Sequence, residues 1–213
     1  MRAIDLHIRL PYPQNETDSS AILTQASKLG LTGLGIESKA PLPLQIIPKS
    51  LQLFSRTTLS PRSAARLRQR IEGLRTPTDI VVVHGRTKPI ALAAAEIPTV
   101  DMILLHDVED FNGVDSQMAR VLATYNKPAE LCLHGLLTLK GPGRSRLMRA
   151  MGYALEYLLR AKTPLVLTTG AQTPWQLRAP RDLAALAYLA NLPETQALKA
   201  AQESPVKLAA ERG

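Results

Sequence analysis

The segment Ile4-Asp5-Leu6-His7-Ile8-Arg9-Leu10 alternates apolar and polar side chains without interruption. A two-residue period belongs to a strand, because successive side chains of extended backbone point to opposite faces. On an ideal strand one face carries Ile4, Leu6, Ile8 and Leu10, and the other carries Asp5, His7 and Arg9. Short β-branched or leucine-rich runs recur at Thr32 to Glu37, Leu51 to Ser55, Asp79 to His84, Asp101 to His106, Ala129 to His134 and Pro164 to Thr168. Helical patterns fall between them at roughly 17–29, 61–75, 87–95, 114–126, 143–161 and 180–190, with more helix after about 193. Seven strands alternating mostly with helices predict an α/β fold of parallel βα units. The pattern is compatible with a closed barrel and with an open doubly wound sheet.

At 213 residues and 45% hydrophobic content, the chain has enough apolar material for one continuous core. It contains no sustained repeat and no low-complexity tract, so a single domain over 1–213 is expected, with C-terminal helices from about 193. Lys39 to Ser50 holds Pro41, Pro43 and Pro48 and is expected to be an irregular connection. Ser204-Pro205 suits the N-cap and first position of a peripheral helix.

The only cysteine, Cys132, lies between Leu131 and Leu133, which excludes an intrachain disulfide and a cysteine metal cluster and points to core packing. Met1 to His7 lacks the apolar stretch of a signal peptide, and Glu96, Pro98 and Asp101 interrupt the most apolar region, Pro89 to Leu105. A soluble, cytoplasmic protein with no membrane partner is the expectation. Twenty-six Lys plus Arg against eighteen Asp plus Glu give a net charge of +8, which favours polyanionic partners through phosphate contacts and counterion release.

All four histidines, His7, His84, His106 and His134, fall at or near the C-terminal ends of predicted strands. In a βα barrel that edge is the ligand face. Asp5, Glu37, Asp107 and Asp110 lie close enough in the pattern to form a metal site with the histidines. Arg9, Arg56, Arg86 and Lys88 are expected on the same edge, and their charges suit a phosphate better than a cation. No bound metal is therefore expected. Strand-end segments His84-Gly85-Arg86-Thr87-Lys88, Ser55-Arg56-Thr57-Thr58 and Leu177-Arg178-Ala179-Pro180-Arg181 combine cations with small or hydroxyl residues that can donate to phosphate oxygens. The expected RNA-binding set is Arg56, Arg86, Lys88, His106, Arg178 and Arg181.

Two helices carry basic outer faces. In 61–75, with Ser60 as the expected N-cap, Ala64, Leu67, Ile71 and Leu74 form the buried stripe while Arg62, Arg66 and Arg70 align opposite. In 143–161, Leu147, Met151, Leu155 and Leu158 form the inner stripe, and Arg146, Arg149, Tyr153, Tyr157 and Arg160 share the outer face. Tyrosine interleaved with arginine is enriched where proteins meet partners, so this face is the expected partner-binding surface. No Gly-x-Ser-x-Gly elbow, Walker loop or dinucleotide fingerprint is present, and no catalytic residue is assigned.

Phe54-Ser55-Arg56-Thr57-Thr58-Leu59, Val81-Val82-Val83-His84-Gly85, Gly143-Arg144-Ser145-Arg146 and Leu177-Arg178-Ala179-Pro180-Arg181-Asp182-Leu183 occur in an order that resembles the ribonuclease P protein component 3 family over nearly the full length. The resemblance implies a TIM-like barrel with fewer than eight strands. It also implies a subunit that assists a catalytic RNA and its magnesium ions in removing the 5′ leader of precursor tRNA. Its implied partners are ribonuclease P RNA, precursor tRNA and another small protein subunit, commonly in a heterotetramer. The chain itself would need no cofactor.

The start also resembles the polymerase and histidinol phosphatase superfamily, whose phosphoesterases open with Asp-Leu-His-x-His. Asp5-Leu6-His7-Ile8-Arg9 keeps the first histidine and puts a fixed cation at the second ligand position. Gly33-Leu34-Gly35-Ile36-Glu37-Ser38 resembles that superfamily's second strand without its Thr-Asp-His ending. An autonomous metal-dependent phosphoesterase is the alternative function.

Overall fold

The computed structural model describes residues 2–10, 16–37, 47–74 and 80–211. The elements run β1 (Ile4–Arg9), α1 (Glu16–Lys28), β2 (Gly33–Glu37), β3 (Gln52–Leu59), α2 (Ala64–Glu72), β4 (Ile80–His84), α3 (Lys88–Ala95), β5 (Met102–Leu105), α4 (Val108–Asn112), α5 (Ser116–Thr124), β6 (Ala129–Cys132), α6 (His134–Thr138), α7 (Gly141–Arg160), β7 (Leu165–Thr168), α8 (Pro180–Tyr188), α9 (Glu194–Leu198) and α10 (Ser204–Ala210). Most of the expected connection Lys39 to Ser50 lies outside the described residues, as do Asp79 and the end of the second predicted helix at residue 75.

All seven strands are parallel and join in sequence order, from β1 to β7. Ile8 bridges Ala171 just beyond β7, and the Arg9 amide donates to the Ala171 carbonyl at 2.8 Å, which brings the two edges together. The result is a nearly closed TIM-like α/β barrel; the open doubly wound sheet is excluded.

Alternation within each strand divides the apolar residues into two layers. Phe54, Ile80, Val82, Met102, Leu104 and Val166 cluster in the barrel interior. Their neighbours Val81, Val83, Ile103, Leu105, Leu131 and Leu167 pack outward against the helices. Helices α2 and α7 obey the same logic. Leu67, Leu147, Met151, Leu155 and Leu158 are buried, whereas Arg66, Arg70, Arg146 and Arg149 are exposed.

β1 corrects the simplest reading of its own sequence. Asp5 pairs with Leu34 and Ile8 with Ile36, so Leu6 and His7 together oppose the single residue Gly35. This bulge shifts the phase of the alternation. Ile4 and Leu6 join the interior cluster, while Ile8 and Leu10 pack with α1 residues Ile22, Leu23 and Ala26. The four apolar side chains therefore do not share one face.

Helix starts also differ from expectation. α2 begins at Ala64 with Ser63 as N-cap, leaving Ser60-Pro61 and Arg62 before it. At the C-terminal end, Ser204 is not a cap: a π-helical turn, Lys199–Glu203, runs directly into α10. Pro205 lacks the amide hydrogen that an α-helix would give to the Ala201 carbonyl, and its ring crowds that carbonyl, so the preceding turn widens. Nor is α10 peripheral, since Leu208 and Ala209 complete the interior cluster with Ile4 and Leu6.

Candidate functional site at the barrel mouth

The C-terminal ends of the strands carry two polar layers, one sealed inside and one at the mouth. The sealed layer arises because β3, β6 and β7 place polar residues where an interior position would ordinarily be apolar. Arg56 donates through Nη1 and Nη2 to the two carboxylate oxygens of Glu130, at 3.0 and 2.8 Å. Its Nη1 also reaches the Leu6 carbonyl at 2.9 Å, a group turned away from the ladder by the β1 bulge. His7 Nδ1 lies 2.7 Å from Glu130 Oε1, and the Thr168 hydroxyl donates to the same oxygen at 2.7 Å. Glu37 stands at an ion-pair distance of 3.5 Å from His7 Nε2 and accepts from the Thr58 hydroxyl.

The charges of this layer set one another. Burial opposes ionisation of Glu130, yet Arg56 and His7 hold its carboxyl well below the usual carboxylate range. Burial and Arg56 likewise oppose the His7 cation, but Glu130 and Cys132 prevail and raise its pKa to about 10. For Asp5, burial dominates over hydrogen bonds from Thr169 and the His7 amide and raises the pKa to about 6.

These shifts predict a pH dependence. The folded-state pKa of His7, raised from 6.5 to about 10, makes its contribution to stability fully present below pH 6.5 and lost as pH rises through about 10. Asp5 adds a loss in the same direction between pH 3.8 and about 6. Thermal melts are therefore expected to fall through the alkaline range, with a shallower fall in His7→Gln. An equal alkaline slope in that variant would place the effect elsewhere.

The outer layer is built on β4, β5 and α4. Asp107 caps α4 by accepting from the Asp110 amide, which turns Asp110 back toward the strand ends. Asp110 Oδ2 then lies 2.8 Å from His84 Nε2 and 2.7 Å from His106 Nδ1, and the His106 amide donates to it at 3.0 Å. The two imidazoles meet edge to face with centroids 4.5 Å apart. Burial opposes the Asp110 charge, but both histidines hold its carboxyl well below the usual range; in turn the hydrogen bond that His106 donates to Asp110 raises the pKa of His106. His84, His106, Asp107 and Asp110 have ligand atoms all within 4.8 Å of one another, a spacing that a metal ion could bridge. Asp5 stands apart, tied to Thr169, and Glu37 faces His7.

The expected RNA-binding residues do not all reach the surface. Arg56 is a correction: β3 continues to Leu59, four residues past the expected end, and carries Arg56 into the interior, where its side chain is fully buried. Arg86 is exposed in the loop after β4, and Arg181 is exposed in the first turn of α8. Lys88 is paired with Asp115, and Arg178 spends Nη1 on the Trp175 and Leu177 carbonyls. His106 is 28% exposed at the mouth. Arg146, Arg149, Tyr153, Tyr157 and Arg160 are all exposed along the outside of α7, in the grouping their spacing predicts.

Glu130 and Thr168 were not among the expected site residues. A lone carboxylate within the apolar run Ala129 to Cys132 was the available signal for the first, whereas nothing in the sequence marks the second.

Fold and mouth together define a TIM-like barrel whose interior is closed by a buried ion network and whose rim is edged with cations. The chain matches the family model described as RNase P subunit p30 over residues 2–212, and it belongs to that family: it is a subunit of ribonuclease P, the endoribonuclease of tRNA processing. Ribonuclease P protein component 3 of Methanosarcina barkeri is 26% identical over 201 residues, covering 92% of this chain and 84% of that protein. A chain in the cryo-EM structure of an archaeal ribonuclease P with mature tRNA shares the fold, with a TM-score of 0.78 at 23% identity over 98% of this chain and 90% of that one. A prolidase crystallised with N-methylphosphonate-L-proline shares the barrel more distantly, with a TM-score of 0.63 at 11% identity over 100% of this chain and 75% of that one.

Proposed function

We propose that the chain supports the RNA of ribonuclease P by laying its C-terminal rim on phosphate backbone, and that it docks a second small protein subunit on the outer face of α7. The observation that carries the RNA reading is the exposure of Arg86, in the loop after β4, and of Arg181, in the first turn of α8 across the mouth, with Lys88 and His106 on the side of Arg86 and Arg178 on the side of Arg181. Strand ends and short βα loops hold cations more rigidly than a helix exterior does, so several can converge on one run of phosphates. The fold shared with a chain of an archaeal ribonuclease P that carries mature tRNA supports RNA and precursor tRNA as partners. Exposed Tyr153 and Tyr157 among three arginines support the protein contact, in a heterotetramer. Among the described residues no helix is long and apolar enough to cross a membrane, which accords with a cytoplasmic complex.

In this reading the cutting chemistry belongs to the RNA and its magnesium, and the chain supplies no catalytic residue or cofactor. Asp110 already answers both His84 and His106, so the cluster is satisfied as an internal ion pair. The same cluster is the observation that favours a metal-dependent phosphoesterase as a second reading. Stoichiometric metal in the purified chain, together with phosphoesterase activity lost in His84→Ala, would establish that reading instead.

Reconstitution with the cognate RNA separates placement from net charge. Arg86→Ala/Arg181→Ala should weaken RNA binding and lower the slope of log affinity against log salt by about one per lost phosphate contact. Replacing Arg66 and Arg70 on α2 removes the same charge from a helix exterior and should do less. Tyr153→Ser/Tyr157→Ser should spare RNA binding by the isolated chain and weaken its association with the partner subunit. Equal losses per charge at rim and helix would reduce the RNA reading to diffuse electrostatics.

A further inference from the structure

Trp175, the chain's only tryptophan, is 83% exposed on a short turn after β7. Tryptophan carries a large apolar surface that folding ordinarily removes from water. Here the turn is instead pinned so as to hold the ring outward. The Gln172 and Thr173 amides both donate to Gln176 Oε1, at 2.7 and 3.3 Å, and Arg178 Nη1 clamps the Trp175 carbonyl at 2.7 Å. A ring carried on a backbone fixed in this way needs no reordering of the turn when something settles on it.

Beside the ring lies a cleft of about 450 Å³ between Trp175 and α1. Ser20, Thr24 and Lys28, one helical turn apart, run along its α1 wall with Gln25. We infer that this cleft is a stacking site for an unpaired RNA base, with Trp175 as platform, the hydroxyl and amide groups of α1 along the base edge, and Lys28 on a flanking phosphate. The inference rests on the RNA-binding reading of the rim and adds a recognition element to it.

The wall chemistry selects RNA over a protein partner. Protein interface cores are depleted of lysine and serine and place several large apolar groups together, whereas Trp175 is the one large apolar side chain in this cleft. A base needs what is present: a π face, hydrogen-bonding groups in its plane and a cation one nucleotide away. Because every base has a π face, such a site tolerates different sequences while discriminating unpaired from paired RNA.

The fluorescence of a single tryptophan reports directly on this ring. With the full chain, a short single-stranded oligoadenylate should quench Trp175 emission saturably. Heparin, a polyanion without bases, should bind without that quenching, and a blunt RNA duplex should quench little. Trp175→Ala should lower affinity for the single strand roughly tenfold or more, with Trp175→Phe between, and leave heparin affinity unchanged. Equal quenching by heparin, or unchanged single-strand affinity in Trp175→Ala, overturns the inference. So does a blue shift produced by the partner subunit alone, which would make the cleft a protein contact. If no RNA binds and Arg86→Ala/Arg181→Ala has no effect, the RNA-binding reading has failed; if RNA binds with the rim's salt dependence but without quenching, only the stacking site has.

Discussion

Glu130→Gln is expected to destabilise the chain by about 3–5 kcal/mol, because it leaves Arg56 and the His7 cation buried without a countercharge. For a domain of this size that corresponds to a melting temperature lower by on the order of 10 °C. The cost lies in the stranded cations rather than in the lost pair itself. Arg56→Met/Glu130→Gln should therefore be less destabilised than the sum of the two single variants, since neither partner is left uncompensated by the other. His7 should concurrently lose its main reason to stay protonated, and its imidazole titration, followed by NMR, should move down toward the ordinary range. Additive losses, or an unmoved His7, would show that Glu130 acts only by filling space.

Gly35→Ala should be comparably damaging for a steric reason. A β-carbon there would stand 2.4 Å from the Leu6 carbonyl oxygen and 2.7 Å from its carbon, and backbone in a paired strand has nowhere to go. The expected loss is about 3 kcal/mol, at the upper end for overpacking, read from the urea midpoint. Gly33→Ala is the matched comparison, for its β-carbon would meet only the side chains of Ile4 and Phe54, at 3.1 and 3.2 Å, which can shift. A similar midpoint for the two variants would mean that the bulge in β1 adapts, and that Gly35 is not required by it.

Both residues show where sequence reading stops. Periodicity marked seven strands, the inward stripes of α2 and α7 and the outward grouping of Arg146, Arg149, Tyr153, Tyr157 and Arg160, because each depends only on local spacing. It failed at Arg56, since Arg56-Thr57-Thr58 is polar enough to look like a loop although two threonines are good strand residues. What keeps Arg56 inside is Glu130, 74 residues away, and no local pattern encodes such a pairing. The bulge is hidden for a related reason: strict alternation in β1 is real, but the partner strand's Gly35 lets two residues crowd against one. Short α4 and α6, of five residues each, offered too few turns to show a helical period. Where the histidines converge was legible in outline, from their strand-end positions; that Asp110 gathers His84 and His106 depends on a cap at Asp107 that only the folded turn reveals.

The Arg56–Glu130 link also has a mechanical meaning. β3 and β6 stand three places apart in the ring, so the pair crosses the lumen as a spoke, with His7 bracing it from β1. A seven-stranded cylinder held only by its wall can flatten, since ovalisation stretches few ladder bonds. With a charged strut of fixed length across its diameter, flattening would pull opposite charges apart in a medium that cannot solvate them. The distance between rim groups on opposite sides of the mouth, Arg86 and Arg181 included, is thus set by the barrel's filling as well as by its staves.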